Sequence, residues 1–259
     1  MNALFVVGDR YAAFADQTDA MTVSRLVSGI RAGTLRPPGR VPVGPLVLAE
    51  GQGVSPYDWE LIGDELARQG ILDRTRIVRA ERGAPATRTE THKHRERNVL
   101  IAGLTRTGEN TFAAALSIDN DEELQLDHQA SHVQGMVLLE AARQMYLAVC
   151  ERHYASRWPE RHYAYVFDSL RTTFRNFVFP LETTIACHVH SADLSDPELL
   201  SFDVQVDFGQ ARLHAADVRM VGTAFDRELL ARKEARGAQR AVRQALRVLP
   251  EPADLVPAG

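Results

Sequence analysis

Residues 135–150 read GMVLLEAARQMYLAVC. The stretch has no interior proline and is rich in alanine, leucine and methionine, so it is a strong helix. Its apolar side chains do not form a stripe. Met136, Leu139, Met145, Leu147 and Ala148 are spread around the axis, and a helix apolar on nearly every side must be buried. It is also far short of the ~20 apolar residues that a bilayer span requires.

The segments around it supply the cover. Asn98–Leu104 and Thr111–Ile118 are apolar and β-prone, with the turn signal Thr107-Gly108-Glu109-Asn110 between them. Tyr163–Phe179, Leu181–His190, Ser201–Phe208 and Leu213–Val221 alternate with β character. A hairpin, one buried helix and further strands are packed most economically as an antiparallel sheet wrapped around a central helix. This is the hotdog fold, α+β in class, and we expect it over residues 85–230.

Outside those limits the chain changes character. Residues 1–84 read as a small α/β unit. Ala3–Val7 is a strand, Thr22 caps a helix over Val23–Ala32, Thr34–Pro45 is a loop with four prolines, Leu46–Ala49 is a second strand, and Asp58–Gln69 is a helix ended by Gly70. Arg82–Arg88 (RGAPATR) is the candidate linker. Asp226–Leu249 reads as a helix that leads into a basic tail over 231–259; Arg227–Arg247 holds seven basic and two acidic residues. That face could meet an acidic carrier protein or nucleic acid, but a solvated helix face is the ordinary reading.

Thirty basic against 34 acidic side chains give a net charge of −4, which offers no global signature of a nucleic-acid binder. Cys150 and Cys187 are too few for a disulfide framework, and without a CxxC they make no structural zinc site. A reducing cytoplasm is the expected compartment. The N-terminus has Asp9 and Arg10 early and lacks the basic segment of a signal peptide. No metal or membrane association is expected.

The segment 127–144, DHQASHVQGMVLLEAARQ, carries the chemistry. Glu140 has apolar neighbours on both sides, and desolvation there raises a carboxyl pKa. Arg143, three residues on, shares its helical face and lowers it. If the two effects nearly cancel, Glu140 titrates at about 5–7 and can act as a general base. His128 and His132 precede the helix, where a loop can bring an imidazole towards Glu140. Backbone amides at Gly135 and Met136 head the helix and could stabilise an oxyanion. Read on spacing alone, Glu140–Arg143 is more often a structural salt bridge, and the burial of the helix brings the functional reading level with it.

The same segment resembles the signature of the AfsA-type family, the hotdog proteins of A-factor biosynthesis, roughly DHxxxHVPGMVLLEAARQ. Upstream, Thr91–Gly103 (THKHRERNVLIAG) is similar to that family's VHKxxxxxVLLT strand. The resemblance implies an acyltransferase that joins a β-ketoacyl group, carried as a thioester on acyl carrier protein or CoA, to the hydroxyl of a small acceptor such as glycerone phosphate. It places the motif acid and base residues on Asp127, His128, His132, Glu140 and Arg143, and requires no cofactor beyond the substrate's own phosphopantetheine. Family members usually carry two hotdog repeats; one is visible here, and Gln134 stands where the motif has proline. A single repeat leaves an open sheet edge, so a homodimer is expected.

Other signals are weaker. Gly51-Gln52-Gly53 reads as a plain turn, because no full GxGxxG is present. His188 with His190, and His92 with His94, have metal-ligand spacing but no further clustered ligand. The competing functions are a dehydratase or thioesterase acting on an acyl thioester, and a non-catalytic module that binds an acyl ligand.

Overall fold

The computed structural model describes residues 3–35, 46–118 and 130–247. The N-terminal unit comprises β1 (Ala3–Val7), α1 (Ala12–Ala15), β2 (Met21–Thr22), α2 (Val23–Arg31), β3 (Leu46–Glu50), α3 (Pro56–Arg68) and β4 (Thr75–Val78). Its strands form a parallel sheet in the order β2-β1-β3-β4. Val6, Leu26, Ile30, Leu48, Trp59, Ile62 and Leu66 make its core. The Thr22 hydroxyl accepts from the Arg25 amide, as its capping role requires. Helix α3 begins two residues before the expected Asp58. Ser55 and Asp58 form a capping box with Pro56 behind the cap, and that signal fixes the start.

The rest of the chain builds β5 (Ile101–Arg106), β6 (Thr111–Leu116), α4 (Gly135–His153), β7 (Tyr163–Phe174), β8 (Thr184–Asp193), β9 (Leu199–Gln210), β10 (Leu213–Asp226) and α5 (Arg227–Leu246). The six strands form one antiparallel sheet in the order β5-β6-β8-β9-β10-β7. Helix α4 lies against it: Ala141, Ala142, Met145, Tyr146, Ala148 and Val149 are fully buried. Strand β9 shows the period-two logic, since Leu200, Phe202, Val204, Val206 and Phe208 all turn inward. This is the expected hotdog arrangement. Each fully buried Leu, Phe or Val contributes ~1.5–3 kcal/mol relative to exposure.

Several boundaries differ from the sequence reading. Asn98 belongs to a 3-10 turn (Glu96–Asn98), so β5 starts only at Ile101. Strand β7 stops at Phe174, where Arg175 and Asn176 both donate backbone N–H groups to the Ala215 carbonyl. Strand β10 runs on to Asp226, paired with β7 along its length. Arg82–Arg88, expected as a linker, is strapped along β5: Ala86 N donates to Ile101 O at 3.0 Å, and Gly103 N to Ala84 O at 2.8 Å. Gly83 and Gly103 both have positive φ, and a Cβ on Gly103 would lie 2.4 Å from the Arg82 carbonyl oxygen.

Gly51-Gln52-Gly53 is more than a turn; it joins the two sheets. Gln52 is fully buried. Its Nε2 donates to Leu116 O (3.0 Å) and Leu181 O (3.2 Å), and its Oε1 accepts from Ile118 N (2.8 Å). Its backbone N–H donates to Pro180 O, and that of Gly53 to Ile118 O. The parallel sheet is thus keyed to the antiparallel one by a side chain that satisfies three buried backbone groups. Helix α5 buries no residue. No helix among the described residues is long and apolar enough to cross a membrane.

Candidate functional site

Glu140 lies in the second turn of α4, on the one flank where the helix is not wholly covered; its side chain is 16% exposed. Arg143 grips it in a fork, Nε to Oε2 at 2.8 Å and Nη2 to Oε1 at 2.9 Å. Lys93 Nζ lies 2.5 Å from Oε1, and Gln144 Nε2 donates to the same oxygen at 3.0 Å. Gln144 is fully buried. It also accepts from Leu100 N at 2.7 Å and donates to Asn98 O at 2.8 Å, which ties α4 to the chain entering β5.

This arrangement overturns the expected titration near 5–7. Burial does push the Glu140 carboxyl up, but hydrogen bonds from Arg143, Lys93 and Gln144 outweigh it and hold the group at about 2. A carboxylate so stabilised is a weak base at neutral pH. It pairs with two cations, Lys93 and Arg143, near the head of the helix. Two of its donors went unread in the sequence. Gln144 stands at i+4 from Glu140, a spacing that places both on one face. Lys93 comes from 47 positions away, and only its place in the THK of the upstream segment pointed to it.

Of the remaining motif residues, only His132, Gly135 and Met136 are described. Asp127 and His128 lie outside the described residues. His132 is not among the donors to Glu140; its ring sits 4.6 Å from that of Phe177. Gly135 and Met136 form the first turn of α4, whose N-cap residue, Gln134, makes no side-chain capping bond. A Cβ on Gly135 would meet the Phe174 ring at 2.8 Å, so the absence of a side chain lets β7 close on the helix. Met136 is exposed.

Each histidine pair has other partners among the described residues. His92 adopts a left-handed φ of 53°, its Nε2 lies 2.9 Å from Glu151 Oε1, and its ring stands edge-on to Tyr165. His188 and His190 pack ring to ring at 4.4 Å on the exposed face of β8. Among the described residues no cluster of three or more potential ligands occurs. Cys150 and Cys187 are buried, and burial pushes both thiols up, so they are inert packing.

The family model for the A-factor biosynthesis hotdog domain matches residues 78–226, more than half of the chain. Among solved structures, the chain is similar to a dehydratase heterocomplex from Xenorhabdus doucetiae, with 17% identity, 56% of this chain and 92% of that one covered, and a TM-score of 0.40. A thioesterase from Haemophilus influenzae aligns at 12% identity over 49% of this chain and 78% of its own, with a TM-score of 0.35. A mutant thioesterase from Pseudomonas aeruginosa aligns at 10% identity over 49% and 81%, also with a TM-score of 0.35. No match was found among curated proteins.

Proposed function

The chain belongs to the A-factor biosynthesis hotdog family, and on that premise we propose that it is an acyltransferase acting on a β-ketoacyl thioester of acyl carrier protein or CoA. The acceptor is a small hydroxylated molecule such as glycerone phosphate. The observation that carries the reading is the Glu140 anion clamped by Lys93, Arg143 and Gln144 where the family motif and its upstream strand meet. In the transfer, the acceptor oxygen bonds to the acyl carbon, the carbon–sulfur bond breaks, and the hydroxyl proton ends on the departing thiol. Lys93 and Arg143, held by Glu140, supply positive charge for the acceptor's anionic group or for the developing oxyanion. The amides at Gly135 and Met136 are the other source of oxyanion stabilisation. With Glu140 held as an anion, the proton relay falls to a histidine, and His128 is the motif residue for it.

The same parts serve hydrolysis if water replaces the acceptor, dehydration if the chain bears a 3-hydroxyl, or acyl binding without turnover. Product analysis separates these. Incubating a β-ketoacyl thioester with glycerone phosphate should yield the acyl ester and free thiol. Free acid or enoyl thioester would replace the transferase reading with hydrolase or dehydratase, and saturable binding with no product would leave a binding module. Glu140→Gln should stay folded by circular dichroism and lose at least ~100-fold in rate, the scale of a group needed to organise transition-state charge.

A further inference from the structure

We infer that the cavity at the C-terminal end of α4, about 380 Å³ in volume, is a subsite for the phosphate of a phosphopantetheine arm. The inference rests on the acyl-thioester reading above and places the donor substrate relative to Glu140. Three separate basic stretches converge on the cavity: Arg88, His92 and Lys93 from the end of the strap and the turn after it, Arg161 and His162 before β7, and Arg227 at the first turn of α5. Backbone bonds fix this meeting, Lys93 N to Arg88 O at 2.8 Å and Arg227 N to His162 O at 2.8 Å.

The charges do not cancel within the cavity. Glu151 is the single carboxylate in its lining among the described residues, and it already faces His92 at 2.9 Å. Lys93 is held by Glu140, and Arg161 by Asp226 at 3.0 Å. Arg88 and Arg227 enter no ion pair among the described residues; Arg88 donates one N–H to the His94 carbonyl. Two uncompensated guanidinium groups beside a third, in a chain whose net charge is −4, suit a phosphate ester, which their planar forks can bind in two places.

Distance selects which phosphate. Glu151 lies 151 − 140 = 11 residues beyond Glu140, about 16 Å along a helix that rises 1.5 Å per residue. A three-carbon acceptor seated at the Glu151 wall would not reach Glu140, whereas the Lys93 side of the same cavity adjoins it. A pantetheine arm, with its two amides between phosphate and sulfur, is built for such a span. Lys93 links the two ends, since it lines the cavity and also contacts Glu140.

The test is kinetic, on the full-length protein, with Arg88→Gln, Arg227→Gln and the double variant. Both residues are exposed, and urea unfolding checks that stability is unchanged. The donor is offered as CoA thioester, as carrier-protein thioester and as N-acetylcysteamine thioester, which lacks the phosphate. The expected result is a KM for both phosphate-bearing donors raised about tenfold per arginine with kcat little changed, the pattern of lost uniform binding. The N-acetylcysteamine donor and glycerone phosphate should keep wild-type KM values. A rise in the glycerone phosphate KM alone assigns the cavity to the acceptor and overturns the inference, as do unchanged KM values throughout. Should the wild type turn over no thioester, the functional reading fails separately, and calorimetry with CoA decides the cavity. Binding to the wild type that weakens in the double variant supports the subsite, and no binding, or equal binding by both, overturns it.

Discussion

Lys93 Nζ and Glu140 Oε1 lie 2.5 Å apart, joining the loop before β5 to the second turn of α4 across 47 residues of sequence. The contact completes a carboxylate with donors on both oxygens, and it decides how Glu140 responds to pH. The folded-state pKa, about 2, lies below the ordinary 4.5. The stability this clamp contributes is therefore fully present above pH 4.5 and is lost as pH falls from there through about 2. Its upper limit is about 3 kcal/mol, reduced by partial exposure of the arginine and lysine. Urea unfolding of wild type and Glu140→Gln at pH 7, 5, 4 and 3 should show a gap that is constant between 7 and 5 and narrows towards 3. A gap that closes between pH 7 and 5 would mean that Glu140 titrates like a buried, poorly partnered acid.

Arg143→Lys should cost well over tenfold in turnover. The guanidinium reaches both Glu140 oxygens at once, and a lysine ammonium can hold only one of them. Losing one good charge-assisted bond costs ~1.5–3 kcal/mol. Steady-state kinetics with an acyl thioester check this; near-wild-type kcat would reduce Arg143 to a dispensable counter-charge.

Gln52→Leu should destabilise the junction between the sheets while keeping the side-chain volume nearly constant. The leucine leaves Leu116 O, Leu181 O and Ile118 N without the bonds that Gln52 gives them. Each unsatisfied buried polar group costs ~1–3 kcal/mol. Leu181 O keeps the Thr183 hydroxyl at 3.2 Å, so chemical denaturation should show a drop of at least about 2 kcal/mol, or a transition split in two as the parallel unit melts ahead of the hotdog sheet. Wild-type stability with a single transition would show that the joint depends on other contacts.

What could be read from the sequence follows the range of the interactions involved. The burial of α4 and the inward alternation of β9 were visible because periodicity is a local property. The end of β7 was not, because Phe177 and Phe179 continue the apolar pattern while the chain has already turned to meet Ala215. Strand β4 (TRIV) is too short to stand out; its pairing with β3 makes it a strand. At the site, Arg143 and Gln144 both lie within a helical turn of Glu140, but charge marks a partner in sequence far more clearly than a neutral amide does. Lys93 belongs to a long-range contact that spacing cannot express, and omitting it turned an acid held near 2 into an expected base. Gln52 looked like a turn residue because its partners lie 64 to 129 positions away.

The last expectation concerns assembly. The two edges of the six-stranded sheet differ. Strand β5 is covered by the strap through Ala84 and Ala86, with Pro85 bridged to Ala102. Strand β7 is twelve residues long and pairs only with β10 among the described residues. Leu170 and Phe174 lie on one face of it and are 42% and 55% exposed. A long open edge with apolar side chains is the kind that natural sheets pair or blunt, and β7 carries no proline to blunt it. Phe174 also touches the space that a Gly135 side chain would fill, so a copy docked along β7 would lie beside the first turn of α4 and close the site from outside. Light scattering at micromolar concentration should therefore give the mass of two chains, and Leu170→Asp with Phe174→Asp should give one. If pairing completes the site, Leu170→Asp alone, which leaves Phe174 packed at Gly135, should lose acyl turnover in its monomeric form while Lys93, Glu140 and Arg143 remain intact. A wild-type monomer, or a monomeric variant with full activity, would show that the edge is tolerated open and that the site is complete within a single chain.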